Sequence, residues 1–331
     1  MSIAIIGAGY VGLPLAIAFS KIYKVVCFDI DRKRIDSLIK GNDKNNQHTK
    51  REIKKKKLVF SSKIEDIKDK DYYIITVPTP IDEFKKPDLT MLIKASILVG
   101  KVMRRKSIVV FESTTYPGCT ENICIPNLEK TSKLKFLKDF NVAYSPERVN
   151  PGDKINTLKS ITKIIGANDV KTLKKVKKLY HQICKSIYTV SSIKIAESAK
   201  VIENIQRDIN IALVNELSII FNKLKIPTNE VLKAASTKWN FHYYKPGLVG
   251  GHCISVDPYY LAYKASKENF YPTLILSGRK TNERMGSYVA NQTVNLLKKI
   301  NPNVKKFDVA ILGFAFKDNI SDMRNTKVIQ V

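Results

Sequence analysis

The chain has 331 residues, more than one domain usually holds, which predicts two domains that each bury a core. Hydrophobic residues make up 44% of it, an ordinary share for a globular protein, and the formal net charge is +27. Such a charge favours an anionic partner, but the basic residues are scattered, and the one dense run, at 50–57, lacks interleaved aromatic side chains. We therefore interpret the charge as solvated surface and do not expect nucleic acid as a partner.

Cysteine usage indicates a reducing compartment. The five cysteines are odd in number and dispersed, and no two are spaced as Cys-x-x-Cys, which argues against a disulfide framework and a zinc site. The apolar stretch 3–19 could be mistaken for a signal or membrane segment, but it lacks a basic start and contains three spaced glycines. We predict a cytoplasmic protein with no bound metal and no membrane contact.

Residues 1–30 are typical of a βαβ unit: a strand, a glycine turn, a helix and a second strand. Further β-branched runs, separated in part by helical patterns at 88–105 and 169–184, lie at 72–78, 107–114, 140–145, 161–167 and 186–192. This alternation predicts an α/β fold in which residues 1–191 form a doubly wound parallel sheet of the Rossmann type.

A long apolar-periodic run from 192 to 225, ended by Pro227, predicts one long helix. It is apolar over more than one face, as expected of a spine between domains or between subunits. Further helices are expected at 228–237 and 281–300. We predict a central helical domain over 192–304, which contains the chemistry-bearing loop described below.

The last segment, 305–331, begins with a strand signal at 307 and continues with a loop and the start of a helix. A complete βαβ unit needs about 30 or more residues. We therefore expect 305–331 to be the start of a second, truncated Rossmann-like domain whose residues are poorly anchored.

Gly7, Gly9 and Gly12 form a G-x-G-x-x-G pattern between the first strand and helix, and Asp29 ends the second strand. Here glycines allow a tight turn and a close approach to a pyrophosphate, while the carboxylate accepts hydrogen bonds from ribose hydroxyls. The alternative is a tight strand-to-helix turn that binds nothing. We predict a dinucleotide, and NAD rather than NADP because Asp29 repels a 2′-phosphate, although two basic residues follow closely.

Lys200 and Asn204 are spaced i, i+4 in the long helix, so their side chains project from one face. An ammonium and a carboxamide so arranged can stabilise an oxyanion. The alternative is a solvated lysine and a surface asparagine.

The segment 248–261 combines two glycines with Cys253 and, four residues on, Asp257. A thiolate can trap an aldehyde as a thiohemiacetal and, after hydride loss, hold a thioester, with the carboxylate as a base. The alternative is a buried structural cysteine beside a loop aspartate. The glycine pair at 250–251 favours the catalytic interpretation because it permits close backbone approach to a ligand. His252 is interpreted as structural.

Seven segments resemble the UDP-glucose/GDP-mannose dehydrogenase superfamily, at 7–16, 77–80, 112–121, 144–153, 199–217, 245–261 and 312–325. The residues at 145–153, 204–217 and 250–261 most resemble those of the bacterial branch that oxidises UDP-N-acetylhexosamines. The alternative is UDP-glucose 6-dehydrogenase. The segment 241–245 departs from the family pattern, so the sugar pocket is expected to differ.

The resemblance implies a four-electron oxidation of the sugar's C6 alcohol to a carboxylate, with two NAD consumed and no free aldehyde released, in polysaccharide biosynthesis. By motif match Cys253 is the nucleophile, and Asp257 serves in acid/base work with the lysine of the long helix. Lys200 and Asn204 stabilise oxyanions. Two residues orient or activate water for thioester hydrolysis, namely Glu147 and Thr114.

The resemblance also implies binding residues and a homodimer through the 192–225 helix. The implied NAD contacts are Gly7, Gly9, Tyr10, Val11, Gly12, Asp29, Pro78, Thr79 and Thr114. The implied contacts of the UDP-N-acetylhexosamine are Glu147, Arg148, Lys200, Asn204, Arg207, Gly250, Arg279 and Lys317. Because the family's C-terminal UDP-binding domain covers the nucleotide end of the substrate, we expect the 331-residue chain to bind NAD but to show little sugar-dependent turnover.

A second class of protein fits the same glycine motif: a dinucleotide-binding remnant or regulatory module without turnover. Relaxed selection would be expected to remove the residues implied in catalysis. Five such residues are nevertheless present in matching positions: Cys253, Lys200, Asn204, Asp257 and Glu147. The sequence therefore favours an enzyme.

Overall fold

The computed structural model describes residues 1–149, 153, 155–315, 323 and 325–331. The chain forms two compact units, Met1–Val201 and Ile202–Val331, and the boundary between them lies inside the longest helix. The domain boundary predicted from the sequence, after residue 191, precedes that helix.

The first unit is built on one sheet of eight strands, counted over the residues described. The strands are β1 (Ser2–Ile6), β2 (Lys24–Phe28), β3 (Leu58–Ser61), β4 (Tyr72–Ile75), β5 (Ile108–Phe111), β6 (Asn141–Tyr144), β7 (Thr162–Ala167) and β8 (Ser186–Val190). Their order is β3-β2-β1-β4-β5-β6-β7-β8, and the pairs are parallel except for β6 with β7. The predicted doubly wound parallel sheet is confirmed, with one strand reversed.

The helices of the first unit connect these strands and cover the sheet. They are α1 (Gly12–Ser20), α2 (Arg32–Ile39), α3 (Lys50–Ile53), α4 (Thr90–Val102), α5 (Ile125–Ser132) and α6 (Val170–Tyr180). Every residue of β4 and of β5 is buried. Central parallel strands are enclosed on both faces, which is why these two read as unbroken apolar runs instead of alternating ones.

The second unit is helical. Its elements are the greater part of α7 (Ile193–Lys223), then α8 (Thr228–Ala235), α9 (Asp257–Lys267) and α10 (Thr273–Ile300). The helices predicted at 192–225 and 228–237 are confirmed, and α10 begins well before the predicted start at 281. Over the described part of the chain, no helix combines the length and the apolar character needed to cross a lipid bilayer.

The end of the chain differs from the sequence-based expectation. Residues 307–315 form no strand, because an extended segment becomes a strand only when a neighbouring strand satisfies its backbone groups. Residues 325–331 are anchored, not loose: the Gly251 amide donates to the Asn325 carbonyl over 3.2 Å, and the Lys327 ammonium lies 3.3 Å from the Glu283 carboxylate. The expectation of poor anchoring is therefore wrong for these residues.

Candidate active site

The sheet topology gathers most of the predicted site residues of the first unit at one edge. Parallel strands β1, β4, β5 and β6 all end there, so the segments that follow them, 7–12, 76–79, 112–114 and 145–147, share that edge. The strand order reverses between β1 and β4, and such a crevice is where open α/β sheets bind ligands. Because β7 runs antiparallel to β6, the start of β7 comes to the same edge.

The glycine loop has the geometry that a pyrophosphate requires. Gly7 has a φ of +105°, and a Cβ at Gly12 would lie 1.8 Å from the Gly7 carbonyl oxygen, so neither position accepts a side chain. Gly9 is exposed, and a Cβ there would meet no atom within 4 Å. The open space above Gly9, at the start of α1, fits the phosphates of a dinucleotide. Tyr10 and Val11 follow, both half-buried.

Asp29 is tied to the glycine loop. Its Oδ2 accepts from the Ala8 amide over 2.8 Å, and its Oδ1 accepts from the Asp31 amide over 2.9 Å. Each carboxylate oxygen can accept a further hydrogen bond, which leaves capacity for ribose hydroxyls. Buried Arg34 supports the loop from below, since its Nε donates to the Ala8 carbonyl over 3.0 Å and it pairs with Asp43 at 2.8 Å. The sequence analysis did not identify Arg34.

We expect the protein to prefer NAD over NADP by at least about tenfold, equivalent to about 1.4 kcal/mol. The Asp29 carboxylate, held by two backbone amides, would repel a 2′-phosphate. The exposed basic residues Arg32 and Lys33 are the groups able to offset this repulsion. Calorimetric titration with both dinucleotides measures the ratio, and equal affinity would mean that Arg32 or Lys33 controls the site.

Thr114 lies in a loop held by hydrogen bonds from two directions. The Thr79 hydroxyl donates to the Thr114 carbonyl over 2.8 Å. From α7, the buried Glu197 carboxylate accepts from the Thr115 hydroxyl and from the amides of Gly118 and Thr120 over 3.0, 2.6 and 2.9 Å. Burial raises the pKa of Glu197. Glu197 thus fixes the backbone next to Thr114.

Glu147 follows β6 and is bound through both carboxylate oxygens. Its Oε1 accepts from the amides of Arg148 and Val149 over 2.7 and 2.5 Å, and its Oε2 lies 3.3 Å from the Lys163 ammonium. The Arg148 guanidinium donates to the Thr162 carbonyl over 2.7 Å, which attaches the same loop to the start of β7. Lys163 was not among the predicted site residues.

In the second unit, two of the predicted site residues, Asn204 and Asp257, are hydrogen-bonded to each other. The Asn204 amide donates to Asp257 Oδ2 over 2.5 Å, and Asp257 is 2% exposed at the start of α9. Cys253 is an exposed thiol four residues before that helix begins, and its carbonyl accepts from the amides of Val256 and Asp257. The amino end of a helix stabilises a negative charge, as a thiolate requires. Lys200, a predicted catalytic residue that belongs to the first unit, is buried.

Two of the predicted substrate contacts, Gly250 and Arg279, contact other parts of the chain. A Cβ at Gly250 would lie 2.6 Å from the Asn325 carbonyl, so the glycine accommodates the chain's own terminal segment. Arg279 is 1% exposed and pairs with Asp208 at 2.7 Å, which favours a structural role. Arg207 is exposed, and Lys317 lies outside the described residues. A substrate contact at any of the four stays a prediction.

A doubly wound sheet with this glycine loop, together with a thiol and a carboxylate in the adjoining unit's sequence, defines the class of dinucleotide-dependent dehydrogenases. Comparison with known proteins gives the family. Residues 1–184 match the UDP-glucose/GDP-mannose dehydrogenase family, NAD binding domain, and residues 194–284 match that family's central domain. The chain belongs to the UDP-glucose/GDP-mannose dehydrogenase family and is an NAD-dependent nucleotide-sugar dehydrogenase.

Individual relatives agree with this assignment. The chain is 54% identical over 333 residues to UDP-N-acetyl-D-glucosamine 6-dehydrogenase of Salmonella typhi, with 100% of this chain and 78% of the relative covered. It is 50% identical to the enzyme of the same name from Pseudomonas aeruginosa, covering 100% and 79%. Among solved structures, the UDP-D-ManNAc dehydrogenase of Pyrococcus horikoshii matches with a TM-score of 0.93 at 35% identity, covering 100% and 79%.

Proposed function

We propose that the protein oxidises the C6 alcohol of UDP-N-acetylglucosamine to the uronic acid, as a step in polysaccharide biosynthesis. The observation that carries the proposal is the hydrogen bond between Asn204 and Asp257, one turn beyond the exposed Cys253. Two relatives at 54% and 50% identity have the name UDP-N-acetyl-D-glucosamine 6-dehydrogenase, which selects this sugar over other UDP-N-acetylhexosamines. UDP-glucose is the alternative substrate.

The proposed chemistry has two oxidations and one hydrolysis. Two molecules of NAD⁺ each accept one hydride, so the alcohol, two NAD⁺ and one water become the carboxylic acid, two NADH and two protons. Between the oxidations the Cys253 thiolate attacks the aldehyde carbon, and the new C–S bond gives a thiohemiacetal, which hydride loss converts to a thioester. Water then attacks the carbonyl carbon, and the C–S bond breaks to return the thiolate.

Each proposed residue supplies what one of these steps needs. Lys200 and Asn204 donate hydrogen bonds to the oxyanions that form on the sugar carbon. Asp257, which accepts a hydrogen bond from the Asn204 amide, exchanges protons in the first oxidation. Thr114 and Glu147 hold the hydrolytic water, and the Glu147 carboxylate takes its proton.

The proposal is tested by offering four nucleotide sugars to the full-length gene product and recording NADH: UDP-N-acetylglucosamine, UDP-N-acetylgalactosamine, UDP-glucose and GDP-mannose. We expect the first to give the highest kcat/KM and two NADH for each sugar consumed. A higher kcat/KM with UDP-glucose would support the alternative. No NADH with any of the four, alongside normal NAD binding, would support a non-catalytic NAD-binding protein.

We also propose a homodimer that packs through α7. Along this helix Ile202, Leu213 and Ile220 are all exposed, by 54, 57 and 42%. At about 100° per residue these three positions fall within about 20° of one another, so they form one apolar stripe. A second copy of the chain, with an identical stripe, matches it in length and character.

The homodimer is tested with a charge in the middle of the stripe. Leu213→Glu should convert the dimer to a monomer at micromolar concentration, because it buries an unpaired carboxylate in the interface. The control is Asn222→Glu, an exposed position about 180° away around the helix. Sedimentation equilibrium of both variants distinguishes the cases, and a dimeric Leu213→Glu protein would refute the proposed interface.

A cytoplasmic location is part of the proposal. All five cysteines are thiols in the structure, as a reducing compartment requires. Cell fractionation with an antibody to the protein tests the location, and recovery in an oxidising extracellular fraction would contradict it.

A further inference from the structure

A buried chain of charged and polar groups leads to Glu147 from inside the first unit. Lys163 is 0% exposed, and its ammonium lies 2.5 Å from Glu112 Oε2 and 3.3 Å from Glu147 Oε2. The Tyr180 hydroxyl donates to the other oxygen of Glu112. The side chains of Glu112 and Lys163 are fully buried, whereas that of Glu147 is 14% exposed. This series of hydrogen-bonded side chains therefore extends from the core to the Glu147 carboxylate, at the edge of the sheet where the parallel strands end.

The reversed strand explains how a lysine reaches this place. Glu112 directly follows β5, and Glu147 follows β6, so both lie where the parallel strands end. Had β7 been parallel to β6, its first residues would lie at the opposite edge of the sheet. Because β7 is antiparallel, Lys163, its second residue, is brought to the carboxylates.

Burial of this lysine is costly without a compensating partner. Burial alone would lower the pKa of Lys163, but Glu112 and Glu147 outweigh that effect and raise it, so the side chain remains an ammonium. Burial raises the pKa of Glu112 to about 7, even though the ammonium opposes the rise. One cation thus serves two carboxylates, and a buried ion pair by itself adds little to stability compared with apolar packing.

We infer that Lys163 is a positioning residue for the hydrolytic half of the reaction, holding the Glu147 carboxylate in one orientation while water attacks the thioester. The inference rests on the proposed function. Glu147 Oε1 is fixed by two backbone amides, and Lys163 fixes Oε2, so the carboxylate has one orientation. Glu112 and Tyr180 in turn fix the ammonium. The Lys163 ammonium occupies one lone pair of Glu147 Oε2, so this oxygen retains another with which to take the proton from water.

The test removes the cation with and without its buried partner. Lys163→Met leaves two carboxylates without a cation and is expected to lose stability. The double variant Lys163→Met/Glu112→Gln removes the ion pair as a unit, which is expected to restore most of that stability. If Lys163 positions Glu147, both variants hydrolyse the thioester about a hundredfold more slowly, the scale of a lost general base.

The readout is the covalent sugar adduct on Cys253, measured by intact-protein mass spectrometry of the full-length gene product. The protein is mixed with UDP-N-acetylglucosamine and NAD⁺, and the reaction is stopped with acid at short times. Both variants should accumulate adduct at steady state, while their NAD affinity and the rate of the first NADH release stay parental. Lys159→Met, at an exposed lysine, is the matched control and should behave as the parent.

Further variants separate the possible failures. Glu147→Gln should accumulate the same adduct, and if it does not, the proposed role of Glu147 is wrong whatever Lys163 does. The positioning role of Lys163 would be overturned if Glu147→Gln accumulates adduct while the double variant hydrolyses the thioester at the parental rate per folded molecule. Tyr180→Phe, which removes one hydroxyl and no charge, keeps the inference testable if the other variants fold poorly. It should slow hydrolysis about threefold to tenfold, the worth of one lost hydrogen bond, and an unchanged rate would contradict the inference.

Discussion

Replacement of Cys253 with alanine should lower uronic acid formation by at least about a thousandfold, because the aldehyde loses the nucleophile that holds it through the second oxidation. The thiol is exposed four residues before α9 begins, and the Cys253 carbonyl accepts a hydrogen bond from the Asp257 amide. Alanine removes the sulfur without adding bulk, so the fold and NAD binding should be unchanged. The expected loss is therefore in chemistry alone.

Two measurements check the Cys253 prediction. Mass spectrometry of the uronic acid product gives the rate, and intact-protein mass spectrometry should find no sugar adduct in the Cys253→Ala protein. Ile254→Val, which trims one methyl group from the half-buried neighbouring side chain, is the control and should retain a rate close to the parental one. Acid formation near the parental rate in Cys253→Ala would refute a covalent intermediate on this residue.

The sequence predicted the sheet well because its signals are local. The first βαβ unit, five further strands and the 192–225 helix each have a period or an apolar run that a short window contains. β3 was missed because it is four residues long, LVFS, and follows the lysine run at 54–57. The strand expected near 307 failed for the opposite reason: its composition suits a strand, but strand formation also needs a partner that a local pattern cannot supply.

Site residues were likewise predictable where the signal is local and were missed where it is not. The glycines and Cys253 were predicted from spacing and family resemblance, since their roles depend on neighbours in the chain. Glu112 and Lys163 meet across fifty-one residues, and Glu197 reaches the 115–120 loop across about eighty. No local pattern reports such pairs. A lysine in a strand, in a chain of net charge +27, is read as one more solvated side chain.

The glycine loop gives the second large prediction, in which two similar substitutions act by different routes. A Cβ at Gly12 would lie 1.8 Å from the Gly7 carbonyl oxygen and 2.5 Å from the Thr76 hydroxyl, so Gly12→Ala forces the loop apart. Overpacking of this kind costs about 1–3 kcal/mol of stability. Because the displaced loop is the phosphate cradle, NAD affinity should fall by about a hundredfold or more, equivalent to about 2.7 kcal/mol.

Gly9→Ala is the matched comparison, since its Cβ would meet no atom of the protein within 4 Å. The unliganded protein should therefore melt at the parental temperature. The added methyl would instead occupy the space through which the pyrophosphate approaches the backbone, so NAD affinity should still fall, by at least about tenfold. Thermal melting and calorimetric titration of both variants separate the two effects. Parental NAD affinity in Gly9→Ala would mean that the phosphates do not lie above Gly9, whereas a parental melting temperature in Gly12→Ala would mean that the loop relaxes around the new side chain.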